Sequence, residues 1–307
     1  MPKPVVHALT VQKGINLTHA TLFLGAGFSC GLGLPLMSNF PRYVERHPRL
    51  SKEEKGFVRQ LQILARDAKL SLELSETNLE DMLSVAVMRE LTGADGGQDG
   101  EAGYAARARS VLRRSCIPGG YDILEKFPIY TSRLSKIINK DSFDSQSDNH
   151  LTIITTNYDV VAEFALHSIG LTAFAPGVNV SSGRPCFYRE GASNVTLCKL
   201  HGSANWRSPD LGCIECDDYL HPSQIVDKNH SSQNIHLPRS WVDDLDGSAA
   251  GFGWPEDPMI IPPTLYKAES HAGMRPAWRA AGKALRESSR IIFVGFSFPE
   301  SDTYLKY

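Results

Sequence analysis

Three short runs of uninterrupted apolar residues punctuate the chain, each ending in small or polar positions. Ala20 to Leu24 leads into Gly25-Ala26-Gly27, Leu151 to Ile154 into Thr155-Thr156-Asn157, and Ile291 to Val294 into Gly295-Phe296-Ser297. Ile, Val, Leu and Phe without polar alternation mark strands covered on both faces, as in parallel sheets. A weaker run, Val195 to Leu200, ends at His201-Gly202. Between the first two strands, about Ser51 to Lys140 reads as a helical tract. There Leu79, Met82, Leu83 and Val87 recur at helical spacing behind Thr77 and Glu80, a capping-box pair. Gly93 to Gly103 reads as a mobile loop and Asp141 to Asn149 as a polar linker. Trp206 to Pro258, rich in Pro, Asp, Gly and His, reads as irregular chain, and Trp278 to Arg290 as a helix feeding the last strand. The pattern predicts an α/β fold in one domain over 1–307, with a helical insertion at about 46–149 and a loop-rich insertion at about 207–258.

Composition narrows the setting. The 307 residues carry 32 Lys and Arg against 34 Asp and Glu, with 42% hydrophobic and 21% charged residues, which excludes a disordered chain. A formal net charge of -2 argues against a dedicated nucleic-acid binder, which needs a basic excess to neutralise phosphates. Six scattered cysteines with no dense framework read as reduced thiols in a cytoplasmic protein. Thr21 to Met37 is apolar but holds Gly25, Gly27, Gly31, Gly33 and Pro35, so it is neither a signal-peptide core nor a span, and no membrane association is expected.

The candidate chemistry gathers past the strand ends, where open α/β sheets bind ligands. Glycines at 25 and 27 let backbone approach a phosphate and aim amide N–H groups at it; a tight strand-to-helix turn without ligand is the alternative. The dehydrogenase fingerprint is not met: Cys30 stands at its third glycine position, and the neighbours of Glu45 form no buried strand. Asn157 and Asp159 follow the second strand. Asp159 suits a cap for a helix beginning at Val160, whereas capping leaves Asn157 unexplained. His201 ends a strand beside Gly202, and an imidazole there suits a general base. Ser297 suits a phosphate or ribose contact, and Asp302 either caps a helix or binds a ribose hydroxyl.

Read together and in this order, GAGFS, GLP, TTNYD, KLHGS and GFSFPESD resemble the sirtuin-like superfamily, specifically the bacterial sirtuin-like NAD hydrolases of antiphage defence, from Gly25 to Asp302. The resemblance implies a Rossmann-like parallel sheet with helices on both faces, binding NAD between the sheet and a smaller helical module. It puts Gly25, Ala26, Gly27 and Ser29 near the pyrophosphate and Ser297 near the adenosine half, and adds Pro35, Thr156, Gly295 and Asp302 to the NAD-binding set. Asn157 and His201 match the two catalytic positions and Asp159 the acidic position beside them.

Two departures bear on the reaction. Protein-deacylating relatives carry two Cys-x-x-Cys pairs for zinc, but here Cys213 and Cys216 form a single pair, so no metal is expected. Deacylases also follow the glycine loop with Asp-Phe-Arg, whereas no arginine appears here before Arg42. The expected reaction is hydrolysis of the nicotinamide–ribose bond of NAD to nicotinamide and ADP-ribose. Asn157 would orient ribose or water, His201 accept a proton, and Asp159 support positive charge or hold Asn157. The alternatives are an NAD-dependent deacylase and a non-catalytic NAD or ADP-ribose sensor. Because a free NAD hydrolase is toxic, the resemblance also implies regulation by homo-oligomerisation. It further implies a sensor, either a partner protein from the same operon or a C-terminal continuation beyond Tyr307, to which any nucleic-acid sensing would belong.

Overall fold

A computed structural model describes residues 19–48, 50–69, 77–93, 103–116, 138, 143, 148–180, 187–189, 194–208, 214–216, 220–226, 232–238, 258–261 and 272–296. Four parallel strands form its centre: β1 (His19–Leu24), β2 (His150–Thr155), β4 (Val195–Lys199) and β9 (Arg290–Val294), in the order β4-β2-β1-β9. Alternate residues of β1, β2 and β4 face opposite layers. Leu22, Leu24, Ile153 and Leu197 join the core around α6 (Val161–Ser168), while Phe23, Ile154 and Cys198 join Ala281 of α7 (Arg275–Glu287). Both faces of β1, β2 and β4 are covered, which is why those strands read as continuous apolar runs, whereas β9 is half-buried among the described residues, with Phe293 exposed. The fold is thus the expected α/β, Rossmann-like parallel sheet with helices on both sides.

The insertion after β1 builds its own apolar cluster. After the short α1 (Ala26–Cys30), it comprises α2 (Phe40–Arg46), α3 (Lys52–Lys69), α4 (Leu79–Leu91) and α5 (Tyr104–Ser115). Phe40, Phe57, Leu61, Met82, Leu83 and Leu112 pack together there, along with Ala204 and Ile260 from the loops beyond the sheet. The helical cluster therefore sits against the strand-end side, with half-buried Tyr158 packed on it.

Three expectations change in detail. The capping box at α4 lies one residue later than Thr77 and Glu80. The Asn78 side chain accepts the Asp81 N–H at 3.0 Å, and the Asp81 carboxylate accepts the Asn78 N–H at 3.0 Å. The helix after Asp159 begins at Val161, not Val160. The stretch read as irregular contains the small strand β6 (Ile214–Cys216), paired with β3 (Val178–Val180) and β5 (Trp206–Arg207). It also contains an antiparallel pair, β7 (Leu220–Val226) with β8 (Ser232–Pro238). Most of the Gly93–Gly103 segment, together with Cys186, Cys213, Ser297 and Asp302, lies outside the described residues. Among the described residues no helix is long and apolar enough to cross a membrane.

Candidate active site

The parallel register aligns the strand ends. Leu24 is level with Thr155 on one side and Val294 on the other, and Thr155 is level with Lys199. The glycine loop, the Asn157 loop, the His201 loop and the Gly295 loop therefore leave the sheet side by side, with Asn157 and His201 each two residues past a paired position.

The first and last of these loops interlock. Gly25 N–H donates to Val294 C=O at 3.0 Å and Gly27 N–H to Gly295 C=O at 2.9 Å. Gly295 has φ +63°, a left-handed conformation that favours glycine. A Cβ on Gly27 would lie 2.8 Å from the Gly295 Cα, and one on Gly25 would lie 2.6 Å from the Phe296 Cα, both inside contact distance. The glycines thus have a packing reason, the close approach of two backbones. It also limits which amides of the turn can face a ligand. The N–H groups of Gly25, Gly27 and Phe28 are bonded within the protein, and only the Ala26 N–H of that turn has no acceptor among the described residues.

Asn157 is fixed at both ends. Its backbone N–H donates to Thr155 Oγ1 at 3.0 Å, and its Nδ2 donates to the Gly25 carbonyl at 3.0 Å and to Ser29 Oγ at 3.2 Å. A backbone carbonyl only accepts, so it sets the carboxamide with nitrogen toward the glycine loop. Oδ1 is left on the other side, with no hydrogen bond among the described residues.

Asp159 lies buried below. One carboxylate oxygen accepts the Val161 N–H at 2.9 Å, capping α6, and the Ser29 hydroxyl is a further hydrogen-bond partner. Burial pushes this carboxyl above the usual carboxylate range, and nearby Glu163 adds to the rise. The Lys199 ammonium and the two hydrogen bonds oppose it. Ser29 therefore links Asn157 to Asp159, accepting from one and donating to the other.

His201 is almost fully buried, its ring 6.3 Å from that of Tyr158 and 6.5 Å from that of Trp278. Its loop is held from outside the sheet. His201 C=O accepts from Ile261 N–H at 2.9 Å, and Ser203 N–H donates to Met259 C=O at 2.9 Å. Gly202 has φ +81°, and a Cβ there would strike the Met259 backbone. Tyr158 joins this loop to the Asn157 loop: its C=O accepts the Ala204 N–H at 2.9 Å and its hydroxyl donates to Ile261 C=O at 3.0 Å.

Residues 151–305 match the SIR2-like domain family. The chain belongs to the SIR2-like family. No individually curated protein matches it. The matched range holds three of the four loops, while β1 and its glycine turn lie outside it. The register and the Asn157 bonds bring that turn beside the loops of the matched range. Family membership makes the chain's function NAD-related in a general sense.

Of the residues read from sequence, Gly25, Gly27, Ser29, Asn157, Asp159 and Gly295 form one bonded cluster, and His201 joins through Tyr158. Ala26 lies half-buried in the same turn. Thr156 and Pro35 are half-buried, and neither makes a side-chain hydrogen bond to the cluster. Cys216 is buried in β6, where its sulfur accepts from Asn205 Nδ2 at 3.7 Å. Among the described residues no three His, Cys, Asp or Glu side chains gather to hold a metal.

One feature of this site went unread in the sequence. The Lys199 side chain, fully buried, donates to Glu163 Oε1 at 2.8 Å and to the Asp159 backbone carbonyl. Glu163 Oε1 also accepts from the Tyr188 hydroxyl at 2.6 Å, which in turn accepts from Trp206 Nε1 at 3.3 Å. The available signal was two opposite charges in apolar segments, Lys199 closing the run from Val195 and Glu163 inside Val-Ala-Glu-Phe-Ala-Leu.

Proposed function

We propose that the protein is an NAD hydrolase that cleaves the nicotinamide–ribose bond, consuming NAD and water and releasing nicotinamide, ADP-ribose and a proton. The observation that carries this reading is the clamped carboxamide of Asn157. Its nitrogen is bound to Gly25 and Ser29, and its oxygen is left as a preoriented acceptor. The leaving group departs from a pyridinium as neutral nicotinamide, so no general acid is required. The site must steady an oxocarbenium-like centre and deliver water. Asn157 Oδ1 accepts a hydrogen bond from a ribose hydroxyl or the attacking water, and His201 accepts the proton released. Asp159 serves behind Asn157 by holding Ser29, so its role is positioning. Ala26 offers its amide to the pyrophosphate, Ser297 contacts the adenosine half, and Asp302 either caps a helix or binds a ribose hydroxyl.

In this reading the enzyme is a cytoplasmic effector of antiphage defence. It is switched on by self-association and by a sensor, either a partner or a further part of the protein, so that NAD is depleted only on infection. The test incubates purified protein with NAD, across concentrations that drive self-association, and follows nicotinamide and ADP-ribose. Binding without turnover throughout would replace the hydrolase reading with a sensing module. Consumption of an acetyl-lysine peptide with O-acetyl-ADP-ribose formation would replace it with a deacylase.

A further inference from the structure

The strand β4 alternates between two layers, and Lys199 occupies a position of the layer that holds Val195 and Leu197. An apolar side chain would suit it. Lysine at such a place must shed its hydration, and only well-placed partners offset that cost. It has two, the Glu163 carboxylate and the Asp159 carbonyl. The pair is a poor stability device, because Glu163 Oε2 is buried with no hydrogen-bond partner among the described residues, and an unsatisfied buried acceptor costs free energy.

The Asp159 carbonyl lies where the chain turns from the Asn157 loop into α6. Its own carboxylate binds the Val161 N–H and the Ser29 hydroxyl, and Ser29 holds the Asn157 carboxamide. A bonded path thus runs from the ammonium through the Asp159 backbone and Ser29 to Asn157. We propose that Lys199 is a positioning residue for Asn157, and that Glu163, steadied by Tyr188 and Trp206, is the counter-charge that allows a lysine to be buried there. The role in turnover rests on the hydrolase reading; the placement of the loop does not.

The test compares Lys199→Met/Glu163→Gln with Glu163→Gln alone, so that no uncompensated carboxylate confounds the result. The double variant should lose roughly 10- to 100-fold in kcat, the scale on which misplacement of a catalytic group is felt, with KM within about twofold. Lys199→Gln/Glu163→Gln, which keeps an N–H donor for the Asp159 carbonyl, should recover part of the loss. Amide exchange at Asn157 and Val161 should accelerate at least about tenfold in the methionine double variant, while that of buried Leu171, whose N–H donates to Leu166 C=O at 3.0 Å, stays as slow as in Glu163→Gln. Equal kcat and equal exchange in the methionine double variant and Glu163→Gln would overturn the proposal and leave Lys199 as a neutraliser of Glu163. The exchange measurement decides the loop's placement even if no form of the protein turns over NAD, an outcome that would sink only the hydrolase reading.

Discussion

The Asn157 carboxamide donates to the Ser29 hydroxyl at 3.2 Å, joining two loops that lie 128 residues apart in the chain. The same hydroxyl is bonded to the Asp159 carboxylate, so one small side chain couples a proposed catalytic group to the buried acid behind it. Ser29→Ala is expected to lower the kcat of NAD hydrolysis by about tenfold, because it removes both the hydrogen bond from Asn157 and the one to Asp159. Nicotinamide release at saturating NAD checks it.

His201→Gln keeps the bulk between Tyr158 and Trp278 but removes the imidazole. A general base contributes about 10²- to 10⁴-fold, so turnover is expected to fall by at least about 100-fold with the fold retained. Turnover near that of the parent protein, with unchanged circular dichroism, would remove His201 from the mechanism.

The Asp159 carboxyl titrates higher in the folded protein than in the unfolded chain, chiefly because it is buried. Protonation therefore favours the folded state. The contribution is absent where both states are protonated, and stability is lost as pH rises from the unfolded pKa through the folded one. Asp159→Asn retains a capping side chain for Val161 and has no such titration. Urea midpoints measured from pH 4 to 8 should fall less steeply with pH for the variant than for the parent.

Gly295→Ala forces a side chain into a left-handed backbone position and to within 2.7 Å of the Gly27 Cα. The conformational cost of about 1–2 kcal/mol and an overlap of about 1–3 kcal/mol should add. Gly33→Ala is the control: φ is +89°, but nothing lies within 4 Å of the new Cβ. It should cost only the conformational part in a urea titration. Gly27→Ala and Gly295→Ala disturb one contact, so the double variant should cost less than the sum of the two.

Much of the sheet was legible because strands covered on both faces cannot alternate; Leu22, Phe23 and Leu24 are all apolar for that reason. The site loops were legible through the residues that close those runs, notably Asn157 and His201. The capping box falls at Asn78 and Asp81, which offer the same three-residue spacing as Thr77 and Glu80 one step on, and sequence alone does not choose between them. The local pattern around Gly25 and Gly27 suits either a ligand or a tight turn, since nothing nearby announces that Gly295, some 270 positions later, fills the space beside them. Lys199 escaped for a similar reason: a lysine at a strand end reads as solvated until Glu163 and the Asp159 carbonyl are known to meet it.

The pairing of β1 with β9 also has a consequence during synthesis. Ala20 is level with Arg290, and the Gly27 N–H finds its acceptor only at Gly295. A nascent chain that has exposed every other strand still lacks the neighbour that shapes the glycine turn and, through Gly25, the seat of Asn157. Contacts of such long sequence separation form late. An unfinished or truncated chain should thus be inert toward NAD, and the ribosome would release the last part of the site only when the rest is already in place.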